Sequence, residues 1–67
     1  STQLVENSKH IIMRDIYSGE SAVLLSLVNV DEVVIGYDVI NADSGSRKYL
    51  AIQTDQRIYT LDLSLKN

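Results

Sequence analysis

Hydrophobic and polar residues alternate most clearly in the last third of the chain. Every second position there is apolar, at Tyr59, Leu61, Leu63 and Leu65. A period of two is typical of a β-strand with one buried face. The same pattern continues upstream between clusters of turn-forming residues. It predicts three strands, at about 33–42, 47–54 and 57–65.

Two turns fix how these three strands pair. A two-residue loop at 55–56 places Ile52 opposite Tyr59 across the ladder. A four-residue loop at 43–46 places Tyr37 opposite Ile52. Together the two registers gather the apolar residues on one face, and a slip of one residue would scatter them. This face is the predicted core: Val33, Ile35, Tyr37, Val39, Leu50, Ile52, Tyr59, Leu61 and Leu63.

The first half of the chain has a weaker pattern. A tight turn at Ser18-Gly19 pairs two further strands, with Arg14 opposite Val23. The apolar face of this hairpin carries Ile12, Ile16, Val23, Leu25 and Leu27. A short helix at 20–28 is the alternative, because Ala, Leu and Glu favour helices, although the segment lacks a helical period. Residues 1–8 are mostly polar, which predicts a frayed end or one helical turn.

Short strands at even spacing predict an all-β fold. We expect one small β domain over residues 1–67, built as a five-stranded antiparallel meander in a curled sheet or SH3-like barrel. A three- or four-stranded sheet with a short N-terminal helix is the alternative. The term SH3-like describes only a shape here, because a fold does not carry a function with it.

Composition adds constraints on stability and on partners. The chain has 67 residues and no Cys, so it forms neither a disulfide nor a thiolate metal site. A core this small depends on tight packing or on association with another chain. The net charge of −3 argues against polyanionic partners such as duplex DNA. The longest apolar run, 22–25, is far shorter than the roughly 20 residues of a membrane span, so we expect a soluble, cytoplasmic protein.

Residues that support catalysis or metal binding are sparse. His10 is the only histidine and is interpreted as a surface residue at the start of a strand. Segment 41–46 resembles a calcium loop in its alternating oxygen side chains, but Ser46 and Ile52 stand where that loop needs Gly and Glu. The three glycines are isolated, which excludes a glycine-rich phosphate loop. We expect no enzymatic activity, no cofactor and no metal.

The second face of the predicted three-stranded sheet is the candidate functional surface. It mixes apolar and polar side chains, and its candidate partner-binding residues are Ile40, Tyr49, Ile58 and Asp62. A half-apolar outer face on so small a protein often contacts another chain. We therefore expect a protein-interaction module that forms a homo-oligomer, binds another protein, or both, and acts as a small regulator or inhibitor. A self-sufficient monomer whose N-terminal segment covers this face is the alternative.

A nucleic-acid interface is the alternative function. The basic residues cluster at Arg47, Lys48 and Arg57, and Tyr49 lies next to them in sequence. Proteins that bind single strands combine a positive groove with stacked aromatic rings. In the predicted register, however, Tyr49 and Tyr59 lie on opposite faces and form no shared platform. A small-ligand site, the third possibility, would require a pocket built between copies.

Overall fold

The computed structural model describes residues 1–64, which form antiparallel strands joined by short turns. The strands are β1 (Thr2–Glu6), β2 (His10–Asp15), β3 (Ser21–Ser26), β4 (Val34–Ala42), β5 (Arg47–Thr54) and β6 (Ile58–Asp62). They form two three-stranded sheets, ordered β1-β2-β3 and β4-β5-β6. The chain divides into two compact units, one of Ser1–Val34 and one that begins at Ile35.

The all-β class expected from the sequence is confirmed, whereas the single five-stranded meander is wrong. Residues 1–64 contain six strands, because Thr2–Glu6 pairs with β2 where the polar sequence predicted a frayed end or helical turn. The ladder is interrupted between β3 and β4, so this part of the chain closes no SH3-like barrel. The alternative with a helix at 20–28 is also wrong, since strand β3 occupies that segment.

The turn between β2 and β3 is wider than the predicted one and is organised by Asp15. The N–H of Gly19 donates to the backbone carbonyl of Asp15 at 2.8 Å, and the N–H of Asp15 donates to the carbonyl of Glu20 at 2.8 Å. The Asp15 carboxylate also accepts a hydrogen bond from the N–H of Tyr17 at 2.9 Å. Such side-chain bonds to the following backbone are typical of Asx turns. The strands therefore separate at Asp15 instead of continuing to Ser18.

This wider turn moves the β2–β3 register. Arg14 lies opposite Ser21 instead of the predicted Val23, and an irregularity between Ile11 and Ile12 shifts the ladder again. The extra residue of this bulge lies in β3, where the register passes from Leu25 to Val23, so the bulge changes the alternation of β3 and not that of β2. Ile11, on the face of β2 opposite the predicted one, is fully buried. The predicted face is wrong in part, because Ile16 and Val23 are exposed.

Strands β4, β5 and β6 follow the prediction closely. Their bounds agree with the predicted 33–42, 47–54 and 57–65 to within a few residues; Leu65 lies outside the described residues. The register is confirmed by Ile52 opposite Tyr59 and by Leu50 opposite Leu61. A 3-10 turn at Asp43–Gly45 forms the predicted four-residue loop between β4 and β5.

The predicted core of this sheet is only partly buried. Leu50 and Ile52 on the central strand are fully buried. On β4, by contrast, Ile35, Tyr37 and Val39 are exposed, so the prediction that they belong to the core is wrong. The reason is position, because β4 is an edge strand with a hydrogen-bonded neighbour on one side only.

Candidate functional site

The candidate surface is one face of the β4–β6 sheet, and the β5–β6 register defines it. Tyr49 lies directly opposite Asp62, and Ile58 lies opposite Gln53. Because side chains alternate between faces, these residues share one face with the alternate residues of each strand. We call it the mixed face: Gly36, Asp38, Ile40, Tyr49, Ala51, Gln53, Ile58, Thr60 and Asp62.

The four candidate partner-binding residues differ in accessibility. Ile58 is 70% exposed and Ile40 is 45% exposed. Tyr49 and Asp62 are half-buried and form the cross-strand pair at the end of the sheet where β5 begins. The sheet thus brings all four residues to one face, with the two isoleucines as its most accessible apolar groups.

Ser64, which follows β6, fixes the Asp62 carboxylate. The Ser64 N–H donates to Asp62 Oδ1 at 2.9 Å, and the Ser64 hydroxyl donates to the same oxygen at 2.5 Å. The hydroxyl bond is the largest cause that lowers the pKa of Asp62, followed by the backbone bond and then by the positive charge of Arg47. Hydrogen bonds to the ionised Asp62 carboxylate stabilise it relative to the protonated acid. The mixed face therefore carries a fixed negative charge beside Tyr49.

An open depression of about 310 Å³ lies in the middle of the mixed face. Its lining residues come from all three strands: Gly36, Asp38, Ala51, Gln53 and Ile58 of the mixed face, together with Tyr37 of β4. The small side chains of Gly36 and Ala51 leave this space, and a Cβ added at Gly36 would meet no atom within 4 Å. The depression is thus a place where an apolar side chain of a partner fits without displacing the sheet.

Edge strand β4 carries exposed apolar residues on both of its faces; sequence reasoning named Ile40 on the mixed face but missed the three on the opposite face. Ile35, Tyr37 and Val39 are 57%, 41% and 36% exposed, on the face opposite the mixed face. Alternation alone could not distinguish them from core residues, since it reports which side chains share a face and not whether anything covers them. The sequence carries no direct signal for their exposure, because the order of the strands in the sheet decides which strand lies at an edge.

The basic residues of the alternative function do not form one patch. Arg47 begins β5, where its Nε lies 3.3 Å from the Asp43 carboxylate, and the exposed Lys48 follows it. Arg57 lies beside Thr54 at the other end of β5, with its carbonyl accepting the Thr54 N–H at 2.9 Å. The two ends of β5, Arg47 and Thr54, are seven rises of about 3.3 Å apart, which is about 23 Å. The sheet therefore separates Arg57 from Arg47 and Lys48.

In the first unit, Lys9 anchors the segment that follows β3. Its Nζ donates to the backbone carbonyls of Asn29 at 2.7 Å, of Val30 at 2.9 Å and of Glu32. These three bonds use all the donors of one ammonium group. The Asn29 amide also donates to the buried Glu32 carboxylate at 3.1 Å. Sequence reasoning missed this arrangement, because its acceptors are backbone atoms.

Groups suited to metal chemistry are dispersed. His10 Nδ1 lies 3.2 Å from the side-chain oxygen of Asn7, in the turn between β1 and β2. Within residues 1–64, the His, Asp and Glu side chains form no group of three that could hold a metal ion. The same range contains no helix of the length and apolarity that a membrane crossing requires.

Comparison of the chain with known protein families, with curated proteins and with solved structures found no match.

Proposed function

We propose that this protein is a non-enzymatic protein-interaction module that associates with itself and with another protein through the β4–β6 sheet. The mixed face and edge strand β4 form the contact surface. Ile40, Tyr49 and Ile58 supply its apolar area, and Asp62 supplies a fixed charge at its rim. The proposal includes the role of a small cytoplasmic regulator or inhibitor, in which binding itself is the activity.

One observation carries this proposal: within residues 1–64, half of the exposed large apolar side chains lie in the β4–β6 sheet, four on β4 and the fifth, Ile58, on β6. Ile35, Tyr37 and Val39 on one face of β4, and Ile40 on the other, are each more than one third exposed. Single exposed apolar residues are ordinary, but a contiguous group is typical of a surface that another protein covers. The depression beside Ile58 adds a concave element to that surface.

The geometry supports nucleic-acid binding less well. Arg47 already contacts the Asp43 carboxylate, and Arg57 lies at the far end of β5. Tyr49 is half-buried and faces Asp62, whose negative charge repels a phosphate backbone. The basic residues are interpreted as charged ends of the sheet.

Sedimentation equilibrium of matched variants tests the proposed function. Ile40→Asp and Ile58→Asp each place a charge on the mixed face, and Val23→Asp is the control because Val23 is also exposed but belongs to sheet β1–β3. A charge buried without a partner is strongly unfavourable. We expect Ile40→Asp, Ile58→Asp or both to weaken self-association at least about tenfold, and Val23→Asp to leave it unchanged.

Two results would overturn the proposed function. One is a wild-type chain that stays monomeric at every concentration. The other is an oligomer whose dissociation constant is the same in the wild type and in both mixed-face variants. Circular dichroism of each variant shows whether the strands are retained, so that loss of folding is not mistaken for loss of contact.

A further inference from the structure

We infer that the outer edge of β4 pairs antiparallel with β4 of a second copy, about a two-fold axis at Tyr37. Two three-stranded sheets then join into one continuous six-stranded sheet. This inference rests on the proposed function, because it takes self-association as given and names the partner, the strand and the register. Joining strands at exposed sheet edges is a common mode of protein recognition.

The hydrogen bonds between β5 and β6 indicate which backbone groups of β4 are available for this pairing. The Leu63 N–H donates to the Lys48 carbonyl at 2.8 Å, and the Thr54 N–H donates to the Arg57 carbonyl at 2.9 Å. The backbone N–H and C=O groups of even-numbered β5 residues therefore bond to β6. Those of odd-numbered β5 residues point towards β4.

Strand β4 ends at Ala42 and β5 begins at Arg47, so the four-residue loop between them places Gly36 and Asp38 on the same face as Ala51 and Gln53. Directly opposed residues of two strands lie on one face, which pairs even-numbered residues of β4 with odd-numbered residues of β5. The odd-numbered residues of β4 consequently direct their N–H and C=O groups away from β5. These outward-facing residues include Ile35, Tyr37 and Val39.

Strand β4 lacks the features that usually protect a sheet edge. It has nine residues, whereas the other edge strands β1, β3 and β6 have five, six and five. It contains neither Pro nor Lys, and Asp38 is its one charged residue. Short strands, prolines and charges prevent edges from pairing in natural proteins. The long and apolar edge of β4 is thus the one best suited to receive another strand.

The sequence of β4 is self-complementary about Tyr37, which identifies the occupant as a second copy. When two such strands run antiparallel with Tyr37 opposite Tyr37, Ile35 of each copy faces Val39 of the other. Each of these pairs joins two β-branched side chains, which pack well across a ladder. About six inter-chain hydrogen bonds form, two at each pair of outward-facing residues.

Asp38 selects this register against its nearest competitor. Shifting the axis by one residue would place Asp38 opposite Asp38, and like charges directly opposite each other are destabilising. With the axis at Tyr37, Asp38 faces Gly36, which has no side chain, and the two carboxylates are about 7–8 Å apart on the diagonal. The charge at Asp38 therefore disfavours the shifted pairing while allowing the proposed one.

Cysteine substitution tests the inference directly, because the chain has no cysteine of its own. Tyr37→Cys places two thiols opposite each other at a Cα separation of about 5.5 Å, within the range of a disulfide. We expect Tyr37→Cys to form a disulfide-linked dimer under mild oxidation at least about tenfold faster than Ile58→Cys. Ile58 is the matched control, since it is more exposed than Tyr37 but lies on β6.

Mixing two variants tests the register and does not depend on replacing Tyr37. Ile35→Cys and Val39→Cys, one isotopically labelled, are expected to form the mixed dimer at least about fivefold faster than either forms a dimer alone. A register centred on Asp38 predicts instead that Asp38→Cys forms the fastest dimer. That result, or equal rates for the mixed and the unmixed proteins, would overturn the inference.

The outcomes separate this inference from the proposed function. A monomer at every concentration would overturn both. A wild-type dimer whose Tyr37→Cys variant links no faster than Ile58→Cys would overturn the edge pairing alone. Dissociation by Ile58→Asp with no effect of Ile40→Asp would do the same, because it places the contact on the mixed face away from β4.

Discussion

Tyr49 lies directly opposite Asp62 in the β5–β6 ladder, so an aromatic ring and an ionised carboxylate share the mixed face. Ser64 holds that carboxylate through its N–H and its hydroxyl group. A partner that covers Tyr49 must therefore either leave Asp62 in contact with water or offer it a hydrogen-bond donor, because a charge buried without a partner is costly. This pair places the fixed negative charge of the surface directly beside one of its apolar side chains.

The Asp62 carboxylate gives a prediction about pH. Ser64→Ala removes the hydroxyl bond that most lowers the pKa of Asp62, so we expect that pKa to move up towards its ordinary value of 3.8. A lowered folded-state pKa stabilises the fold above pH 3.8, and this stabilisation is lost as the pH falls through the folded value. The measurement is a carboxyl-carbon NMR titration of Asp62. An identical titration in wild type and Ser64→Ala would contradict the assignment, and Ser26→Ala on β3 is the control.

Lys9 gives a prediction about stability. Lys9→Met keeps the aliphatic part of the side chain but removes the three bonds to the backbone carbonyls of Asn29, Val30 and Glu32. Hydrogen bonds from charged groups are the stronger kind, so we expect the free energy of unfolding to fall by about 1.5–3 kcal/mol. Urea denaturation measures the change. Lys48→Met, at an exposed position of β5, is the control and should change stability by less than about 0.5 kcal/mol.

Two glycines give opposite predictions for the same substitution. Gly36 lies within β4 at a position where an added Cβ meets no atom within 4 Å, so Gly36→Ala should stabilise the chain by about 0.5–1 kcal/mol. Gly45 has a φ of +92°, which residues with a side chain adopt at a cost, so Gly45→Ala should destabilise it by about 1–2 kcal/mol. Thermal unfolding of both variants tests the pair, and effects of the same sign would contradict it.

Asp38 gives a prediction about salt. In the proposed dimer the two Asp38 carboxylates lie on a diagonal of about 7–8 Å, where their repulsion in water is about 0.5 kcal/mol. We expect Asp38→Asn to tighten the dimer about twofold at low ionic strength. The difference should diminish as salt is added, since it screens exposed charges at this distance. Sedimentation at two salt concentrations measures it, and weaker association of Asp38→Asn would contradict the register.

The sheet β4–β6 could be predicted from the sequence because two kinds of signal agree there. Alternation predicted the faces, and the short turn at 55–56 fixed the β5–β6 register, as Ile52 opposite Tyr59 confirms. Exposure could not be predicted in the same way. Tyr37 occupies an alternating apolar position typical of a core residue, yet it lies on an edge strand. Alternation of apolar and polar residues does not determine the order of the strands in a sheet.

The sheet β1–β3 was harder to predict because its signals conflict. Hydrogen bonds to Asp15 widen the turn, and the bulge in β3 between Leu25 and Val23 shifts the ladder again, so a regular hairpin drawn from Ser18-Gly19 has the wrong register. Strand β1 is largely polar and lies at an edge, where one buried face is not required. The turn at Asp15 and the bulge in β3 thus determined the register of this sheet, and the alternation of apolar and polar residues did not.

The carbonyl contacts of Lys9 show a different limit. Any lysine can donate to a backbone carbonyl, and the three acceptors come from a segment about 20 residues further along the chain. They become visible only once the turn before β2 and the segment after β3 lie side by side. The candidate surface likewise joins residues that are distant in sequence, since Tyr49 and Asp62 become neighbours only through pairing of β5 with β6.

The most direct test of the central claim is the mass of the wild-type chain by light scattering over a concentration series. One chain has a mass of 7.5 kDa, so a dimer has twice that, about 15 kDa. Self-association through the β4–β6 sheet predicts a mass that rises to the dimer value with concentration and falls back on dilution. A mass that stays at 7.5 kDa at every concentration would contradict it.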